Sequence, residues 1–362
     1  MTEWKEYKLG DVLAVRYGKD HKPLGNGQYP VYGSGGIMRY ADRYLYDKES
    51  ILIPRKGSLN NIFYQEGPFW TVDTMFWTEI DKAKVEPKFL FYQLTLVDLE
   101  NLNVGSAVPS LTVPVINDID ITLPPLDEQK RIAGVLSSLD DKIDLLHREN
   151  ATLEALAETL FRHYFIENPK PDWKEGKLGD YVDIKRGGSP RPITDYIAPS
   201  GYRWLKISDV TNIDSPYIFH TKEYIKESGL NKTVLLNAGS LVLSNSATPG
   251  IPKILCVDSC IHDGWLYFPK SRFSKYYLYL FFKFIRQDLI NLGNGSIFTN
   301  LKTDILKNYV INIPDGKKLD IFESIVCPLF EKMLGNTKQV VALETLRNAI
   351  LPRIMSGELK AI

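Results

Sequence analysis

Cysteine is scarce in this chain of 362 residues: there are three, an odd number that builds no disulfide framework and suits a reducing compartment, so a cytoplasmic location is expected. Long apolar runs are missing as well. Stretches such as Tyr276 to Phe282 fall far short of the roughly 20 residues needed to span a bilayer. The opening Met1-Thr2-Glu3-Trp4-Lys5-Glu6 is charged from the start, so no signal peptide is expected. Net charge is also absent, with 44 Lys and Arg against 44 Asp and Glu. Taken whole, that balance argues against a nucleic-acid partner, because phosphate binding relies on Lys and Arg releasing counterions. The 44% hydrophobic and 12% aromatic content excludes disorder, and the length suggests two or three domains.

Catalytic motifs are lacking too. Gly176-Lys177 and Gly316-Lys317 have neither the upstream glycine nor the hydroxyl of a P-loop, so no nucleotide hydrolysis is indicated. An adenine methyltransferase would carry an Asn/Asp-Pro-Pro-aromatic segment, and none occurs. Pro171-Asp172 is followed too soon by Glu175-Gly176-Lys177 for a nuclease carboxylate set. Cys256, Cys260 and His262 cluster, yet the spacing is not a standard zinc pattern and a fourth ligand is missing, so buried thiols on a strand are expected. His147 and His163 have no nucleophile or paired carboxylate nearby in sequence. No catalytic residue and no metal ligand is assigned.

What the chain does contain is a copy of itself. Trp4-Lys5-Glu6-Tyr7-Lys8-Leu9-Gly10-Asp11 recurs as Trp173-Lys174-Glu175-Gly176-Lys177-Leu178-Gly179-Asp180, seven of eight identical at an offset of 169. Farther along the offset is 190. Ile51-Leu52-Ile53 matches Leu241-Val242-Leu243, Val72-Asp73-Thr74 matches His262-Asp263-Gly264, and Ile121-Thr122-Leu123-Pro124 matches Ile311-Asn312-Ile313-Pro314. The second copy therefore holds 21 extra residues between about 188 and 239.

Each copy opens with short β-rich runs punctuated by Gly, Pro and Asn, followed by a helical stretch near Pro87 to Leu99 or Lys275 to Leu292. After Pro124 the pattern becomes a heptad seam: Ile132, Leu136, Leu139, Ile143, Leu146, Asn150, Leu153, Ala157, Leu160 and Tyr164. The second copy repeats it more loosely through Phe322, Val326, Leu329, Met333, Asn336, Val340, Leu343, Arg347, Ile350 and Ile354. The two helices are each other's expected partner. Asn150 is expected to fix register unless it lies at a fraying contact, and Pro328 is expected to kink the second helix. A first helix from about Glu128 to Ile166, at about 1.5 Å per residue, makes a rod of about 58 Å. The reading is α+β: two similar α/β globules, 1–126 and 167–315, each followed by a long helix, 127–166 and 316–362, with pseudo-twofold symmetry and an antiparallel coiled coil. Two like domains at a fixed separation suit an extended, repeating ligand such as DNA.

Counted by region, the neutrality dissolves. Residues 1–126 are net −3, 127–166 net −3, 167–313 net +5 and 314–362 net +1. The candidate DNA contacts lie in Gly- and Ser-rich loops with local positive charge, because small residues let backbone approach phosphate and Arg, Lys and Asn read base edges. In the first copy they are Ser34, Gly35, Gly36 and Arg39, then Arg55, Lys56, Ser58, Asn60 and Asn61. In the second they are Lys185, Arg186, Ser189, Arg191, Lys206, Ser244, Asn245, Ser246 and Thr248. Ser244-Asn245-Ser246-Ala247-Thr248 takes the place of Arg55-Lys56-Gly57-Ser58, which implies different readers and different half-sites. For any one loop the alternative is a solvated turn.

The opening octapeptide and its copy, Ile53-Pro54-Arg55-Lys56-Gly57-Ser58, and Phe69-Trp70-Thr71-Val72-Asp73-Thr74 carry a likeness. So do Leu123-Pro124-Pro125-Leu126-Asp127-Glu128-Gln129-Lys130-Arg131-Ile132 and Leu351-Pro352-Arg353-Ile354-Met355-Ser356-Gly357-Glu358-Leu359. With them the chain resembles the specificity subunit of type I restriction-modification systems over its whole length. The second copy departs at Pro314-Asp315-Gly316-Lys317-Lys318-Leu319, which lacks the Leu-Asp-Glu-Gln entry. The resemblance implies a non-catalytic subunit whose two target-recognition domains each read half of a split, asymmetric DNA site. The helices would serve as spacer and as docking platform for two methyltransferase subunits, with two motor-nuclease subunits joining. S-adenosylmethionine, ATP and Mg2+ are then expected on those partners and no cofactor on this chain. A stand-alone DNA-binding regulator and a structural adaptor that binds no DNA are the competing classes.

Overall fold

The computed structural model describes residues 4–105, 108–211, 213–293 and 301–360. The chain divides into two compact units, one of Met1–Ile143 with Ala342–Ile362 and one of Asp144–Val341. No helix among the described residues is long and apolar enough to cross a membrane.

The first unit begins with strand β1 (Lys5–Lys8) and continues through β2 (Leu13–Tyr17), β3 (Asn26–Gly33), β4 (Gly36–Ala41), β5 (Ser50–Pro54), β6 (Phe63–Gln65), β7 (Trp70–Thr71) and β8 (Met75–Ile80). Helices α1 (Pro87–Leu94) and α2 (Val113–Asn117), strand β9 (Asp120–Leu123) and the start of α3 (Leu126–Arg162) follow. One sheet has the order β2-β8-β5-β6 and a second the order β4-β3-β7. Strand β5 is buried along its whole length, which is why Ile51-Leu52-Ile53 reads as an uninterrupted apolar run. Helix α1 starts on Pro87, where a missing N–H costs nothing, and buries Phe89 and Leu90 against β5 and β6.

The second unit holds β10 (Lys174–Lys177), β11 (Lys185–Arg186), β12 (Ile197–Ala198), β13 (Tyr202–Leu205), β14 (Tyr217–Ile218), β15 (Glu223–Ile225) and β16 (Val234–Leu236). Then come β17 (Leu241–Ser244), β18 (Pro252–Leu255), β19 (Ser259–Ile261) and β20 (Trp265–Tyr267). Helices α4 (Lys275–Phe284), α5 (Arg286–Gly293) and α6 (Thr303–Lys307) lead to β21 (Val310–Ile313) and to α7 (Gly316–Met355). The sheets run β11-β20-β17-β18-β14 and β12-β15-β13-β19-β16. Ser274 caps α4 by accepting the Tyr277 N–H at 3.1 Å. Phe282 of α4 and Phe161, Phe322 and Phe330 of the long helices are fully buried, each contributing roughly 1.5–3 kcal/mol.

The repeat holds at the level of hydrogen-bond register. Strand β1 pairs antiparallel with β9 as Lys5↔Leu123, and β10 pairs with β21 as Lys174↔Ile313. Likewise Ile53↔Phe76 in the first unit corresponds to Leu243↔Leu266 in the second. The parallel pair β3 and β7, Val31↔Trp70, corresponds to β13 and β19, Trp204↔Cys260. The extra residues of the second copy enlarge this sheet from three strands to five, adding β12 and β16 around the antiparallel pair β13 and β15 that answers to β3 and β4. Gly18 and Gly187 mark one further equivalence. A Cβ there would lie 2.0 Å from the Val72 carbonyl oxygen or 2.3 Å from that of His262, so the backbones meet too closely for any side chain.

Within each unit the two long helices run antiparallel. In the first, Ile132, Ala133 and Leu136 of α3 share a core with Ile354 and Met355 of α7, and Arg347 binds Asp140 at 2.7 Å. In the second, Asn150 faces Asn336 and Thr337, while Phe161 meets Phe322 at 6.1 Å farther along. Of the seam, Leu136, Ile143, Leu146, Asn150, Val326, Met333 and Val340 are buried. Leu139, Leu153, Leu160, Leu329, Leu343 and Ile350 are half-buried. Asn150 is no fraying contact: its amide donates to Thr337 Oγ1 at 3.2 Å and its Oδ1 accepts from Asn336 at 3.0 Å. Pro328, expected to kink α7, lies inside a helix that continues unbroken to Met355, with Val326 and Phe330 anchored in the core on either side. His147 and His163 are exposed.

The two helix entries differ chemically. Gln129, almost fully buried, accepts the Glu86 N–H at 2.8 Å and donates to the Pro124 carbonyl at 2.8 Å, clamping α3 to the first unit. At the start of α7 Asp315 caps instead, its Oδ1 taking the Lys318 N–H at 2.8 Å and its Oδ2 taking Lys170 Nζ at 2.6 Å. The bond from Lys170 leads in holding this carboxyl down at about 2.

Candidate nucleic-acid interface

In the first unit three chain segments converge: the Tyr17-Gly18-Lys19 exit of β2, the β3–β4 turn at Ser34-Gly35-Gly36, and the loop after β5 from Arg55 to Asn61. Gly36 (φ +108°) and Gly57 (φ +95°) sit in the left-handed region that side chains resist. Asn61 donates to the Ser34 carbonyl at 2.7 Å, which ties the second segment to the third. Arg55 is half-buried, its Nη1 bonding the Asp73 carbonyl at 3.1 Å and its guanidinium lying 5.6 Å from the centre of the Tyr17 ring. Lys56 and Ser58 are exposed, and so is Gly35. Two candidates turn elsewhere. Arg39 spends its Nη2 on the carbonyls of Leu24 (2.6 Å) and His21 (3.3 Å), and Asn60 bonds Asp98 Oδ1 (3.2 Å) while accepting the Glu100 N–H.

The second unit builds the same convergence with other side chains. Asn245 stands where Arg55 does and likewise donates to the carbonyl of the equivalent aspartate, Asp263, at 3.4 Å. Ala247 holds the left-handed turn of Gly57 at φ +57°. Ser244 is buried, its hydroxyl donating to the Thr248 carbonyl at 2.6 Å and accepting the Ile251 N–H at 2.8 Å. Thr248 in turn donates its N–H to Ser246. The Asp263 carboxylate gathers Ser189 Oγ (2.7 Å), Arg191 Nη2 (3.1 Å) and Arg186 Nη2 (3.9 Å), and Arg186 Nε bonds the Asp263 carbonyl. Burial pushes this carboxyl upward, but the Ser189 hydroxyl and the two arginines outweigh it and hold it below the usual carboxylate range. Lys206 pairs with Glu223, and exposed Lys185 lies 3.6 Å from Asp183.

Beside this cluster opens a cleft of about 410 Å³ lined by Pro190, Arg191, Pro192, Ile193, Trp204, Lys206 and His262. Burial lowers the His262 pKa against the opposing pull of Asp263, 3.7 Å from its Nδ1, and the backbone N–H groups of Gly264 (2.7 Å) and Ile207 (3.2 Å) lie against its two ring nitrogens, only one of which accepts in the neutral ring. Cys260 lies buried on β19 and Cys256 between β18 and β19, both thiols pushed up to about 11 by burial. Among the described residues no three His, Cys, Asp or Glu side chains come together as a metal site.

Sequence reasoning passed over Tyr17, Asp73, Trp204, His262 and Asp263 as members of these surfaces. For the two aspartates the signal lay in the repeat itself. Asp73 and Asp263 are identical at the 190 offset, and Gly18 and Gly187 at the 169 offset, so residues kept between unlike copies mark the scaffold on which the variable side chains sit.

Comparison with known proteins agrees with the duplicated fold. The model of the type I restriction modification DNA specificity domain matches residues 1–155 and again 170–326. The MjaIX type I restriction enzyme specificity subunit of Methanocaldococcus jannaschii is 24% identical, covering 99% of this chain and 89% of that protein. The HindI specificity subunit of Haemophilus influenzae is 22% identical, covering 99% of this chain and all of the other. Among solved structures, the type I restriction-modification S subunit of M. genitalium shares the fold at a TM-score of 0.66, with 14% identity over 98% of this chain and 96% of that one. With two successive matches to one domain model on two units of like register, this chain belongs to the type I restriction-modification DNA specificity family.

Proposed function

We propose that this chain is the sequence-reading subunit of a type I restriction-modification complex and that each unit reads one half of a split DNA site. One observation carries the reading: a single scaffold occurs twice, with the same left-handed turn at Gly57 and Ala247, and presents Arg55, Lys56 and Ser58 in one copy but Ser246 and Thr248 in the other, where Asn245, in the place of Arg55, is buried. Two non-identical readers on one chain suit an asymmetric, bipartite site. The chain itself does no chemistry in this scheme. Two methyltransferase subunits dock on the long helices and two motor-nuclease subunits complete the restriction enzyme, so that S-adenosylmethionine, ATP and Mg2+ belong to those cytoplasmic partners. The regional charge supports a division of labour. Residues 167–313 at net +5 favour phosphate and residues 1–126 at net −3 do not, so the free subunit grips DNA weakly and the partners supply the rest.

The test is to express the chain with its methyltransferase partner in a methylation-free host and to map modified sites by single-molecule sequencing. The expected result is a bipartite motif. Exchange of Lys56 to Asn61 for an unrelated loop then alters one half only. Methylation without sequence preference, or a loop exchange that alters both halves together, overturns the reading.

A further inference from the structure

The carboxylate of Asp263 lies inside the proposed reading surface, where negative charge opposes DNA. It directly follows β19 and His262, whose carbonyls pack against Gly187, and this close approach brings Ser189, Arg186 and Arg191 of the neighbouring segment to it. Its first-copy counterpart, Asp73, is exposed, and its backbone carbonyl accepts from Arg55. The same position thus carries two different jobs. In the first unit the residue supplies a backbone acceptor. In the second its carboxylate is the common partner of a hydroxyl and two guanidiniums.

An arginine reads guanine through two parallel N–H donors aimed at O6 and N7, and that fork loses selectivity when the guanidinium is free to rotate toward phosphate. Arg191 binds Asp263 through one terminal nitrogen, Nη2, and among the described residues no other N–H donor of the planar group has a hydrogen-bond partner. Its side chain is 79% exposed, and that of Arg186 is 52% exposed, so both remain accessible while tethered. Ser189 Oγ donates to Oδ1, which keeps the carboxylate from turning and directs Oδ2 to the arginines. Two cations against one anion leave the cluster net positive, sufficient to attract DNA.

Building on the reading of the chain as a DNA-sequence reader, we propose that Asp263 is a positioning residue for specificity: it orients Arg186 and Arg191 so that the second unit recognises a guanine in its half-site. The carboxylate does not touch DNA. It lowers the general attraction of the surface and in exchange restricts the arginines to a base edge.

Two variants of the full chain, each with its methyltransferase partner, test this. Asp263→Asn keeps the size and the acceptor for Ser189 but removes the charge. Expected are relaxation of one guanine position in one half of the bipartite motif, by roughly 10- to 100-fold in preference, together with tighter binding to random duplex and a salt slope steeper by about one counterion. A merely structural aspartate would lower specific and random binding together. Arg191→Lys, at an exposed position that cannot unfold the unit, keeps the charge but lacks the fork, and it should relax the same guanine while leaving random-duplex affinity unchanged. If Asp263→Asn fails to fold, Arg191→Lys decides alone. With a wild-type bipartite motif, failure of either folded variant to alter it overturns the positioning role and spares the proposed function. A wild-type complex with no bipartite motif overturns both.

Discussion

The polar layer between α3 and α7 invites a quantitative test. Asn336 is 3% exposed and donates to Asn150 Oδ1 and to Glu149 Oε2, each at 3.0 Å, while Asn150 donates to Thr337. Replacing Asn336 with Leu deletes one neutral bond of about 1 kcal/mol and one to a carboxylate of about 1.5–3 kcal/mol. It also strands the Asn150 carbonyl in the core at about 1–3 kcal/mol, so a loss of about 3.5–7 kcal/mol is expected. Asn150→Leu should cost about 2 kcal/mol, because Asn336 keeps Glu149. The double Leu variant strands neither amide, and Thr337 retains the Met333 carbonyl at 2.7 Å, so it should lose only the bond to Glu149, about 1.5–3 kcal/mol. The coupling energy of the cycle is therefore about 4–6 kcal/mol in favour of the double variant. Amide hydrogen exchange over residues 145–155 and 330–340 measures the local opening free energy without requiring the whole chain to unfold in one step. Single effects that add to within about 0.5 kcal/mol in the double variant would refute the pairing.

Arg55→Ala should relax one base position in one half-site by about 1–3 kcal/mol, read as a change in the methylation motif. Uniform weakening across sequences would identify a phosphate contact instead. Removal of one heptad from each long helix should shorten the spacer of the bipartite site by no more than about three base pairs, since seven residues rise about 10.5 Å, and both half-sites should be kept. An unchanged spacer would sink the ruler idea. Lys253, 4% exposed, gives its ammonium to the carbonyls of Ile213 and Ser215, and burial brings its pKa down to about 8. Between about pH 8 and 10.5 the unfolded chain holds a proton that the fold has released, so this group makes stability rise with pH there, by about 3 kcal/mol in all. Denaturant unfolding of the parent and of Lys253→Met across that window should differ in slope by this contribution, the raised thiols of Cys256 and Cys260 adding the same opposite slope to both.

Much of the architecture was legible because it is written twice. An octapeptide repeated at 169, strands repeated at 190 and seven-residue periodicity in both long segments identify two like units, their pairing strands and the helix seam before any coordinates are known. Those signals are local or periodic, and backbone hydrogen bonding turns them into structure with little choice. The loops were legible as loops, by their Gly, Ser and Asn content. What each side chain in them does was not, because that depends on neighbours distant along the chain. Arg39 reads as a DNA contact but is claimed by the carbonyls of residues 21–25, and Arg186 and Arg191 read as free cations but share a carboxylate more than seventy residues away. Seam positions told that Asn150 and Asn336 were polar members of an apolar stripe. Only the antiparallel register decided that they face each other, since periodicity specifies which face of a helix is buried and says nothing of where its partner begins.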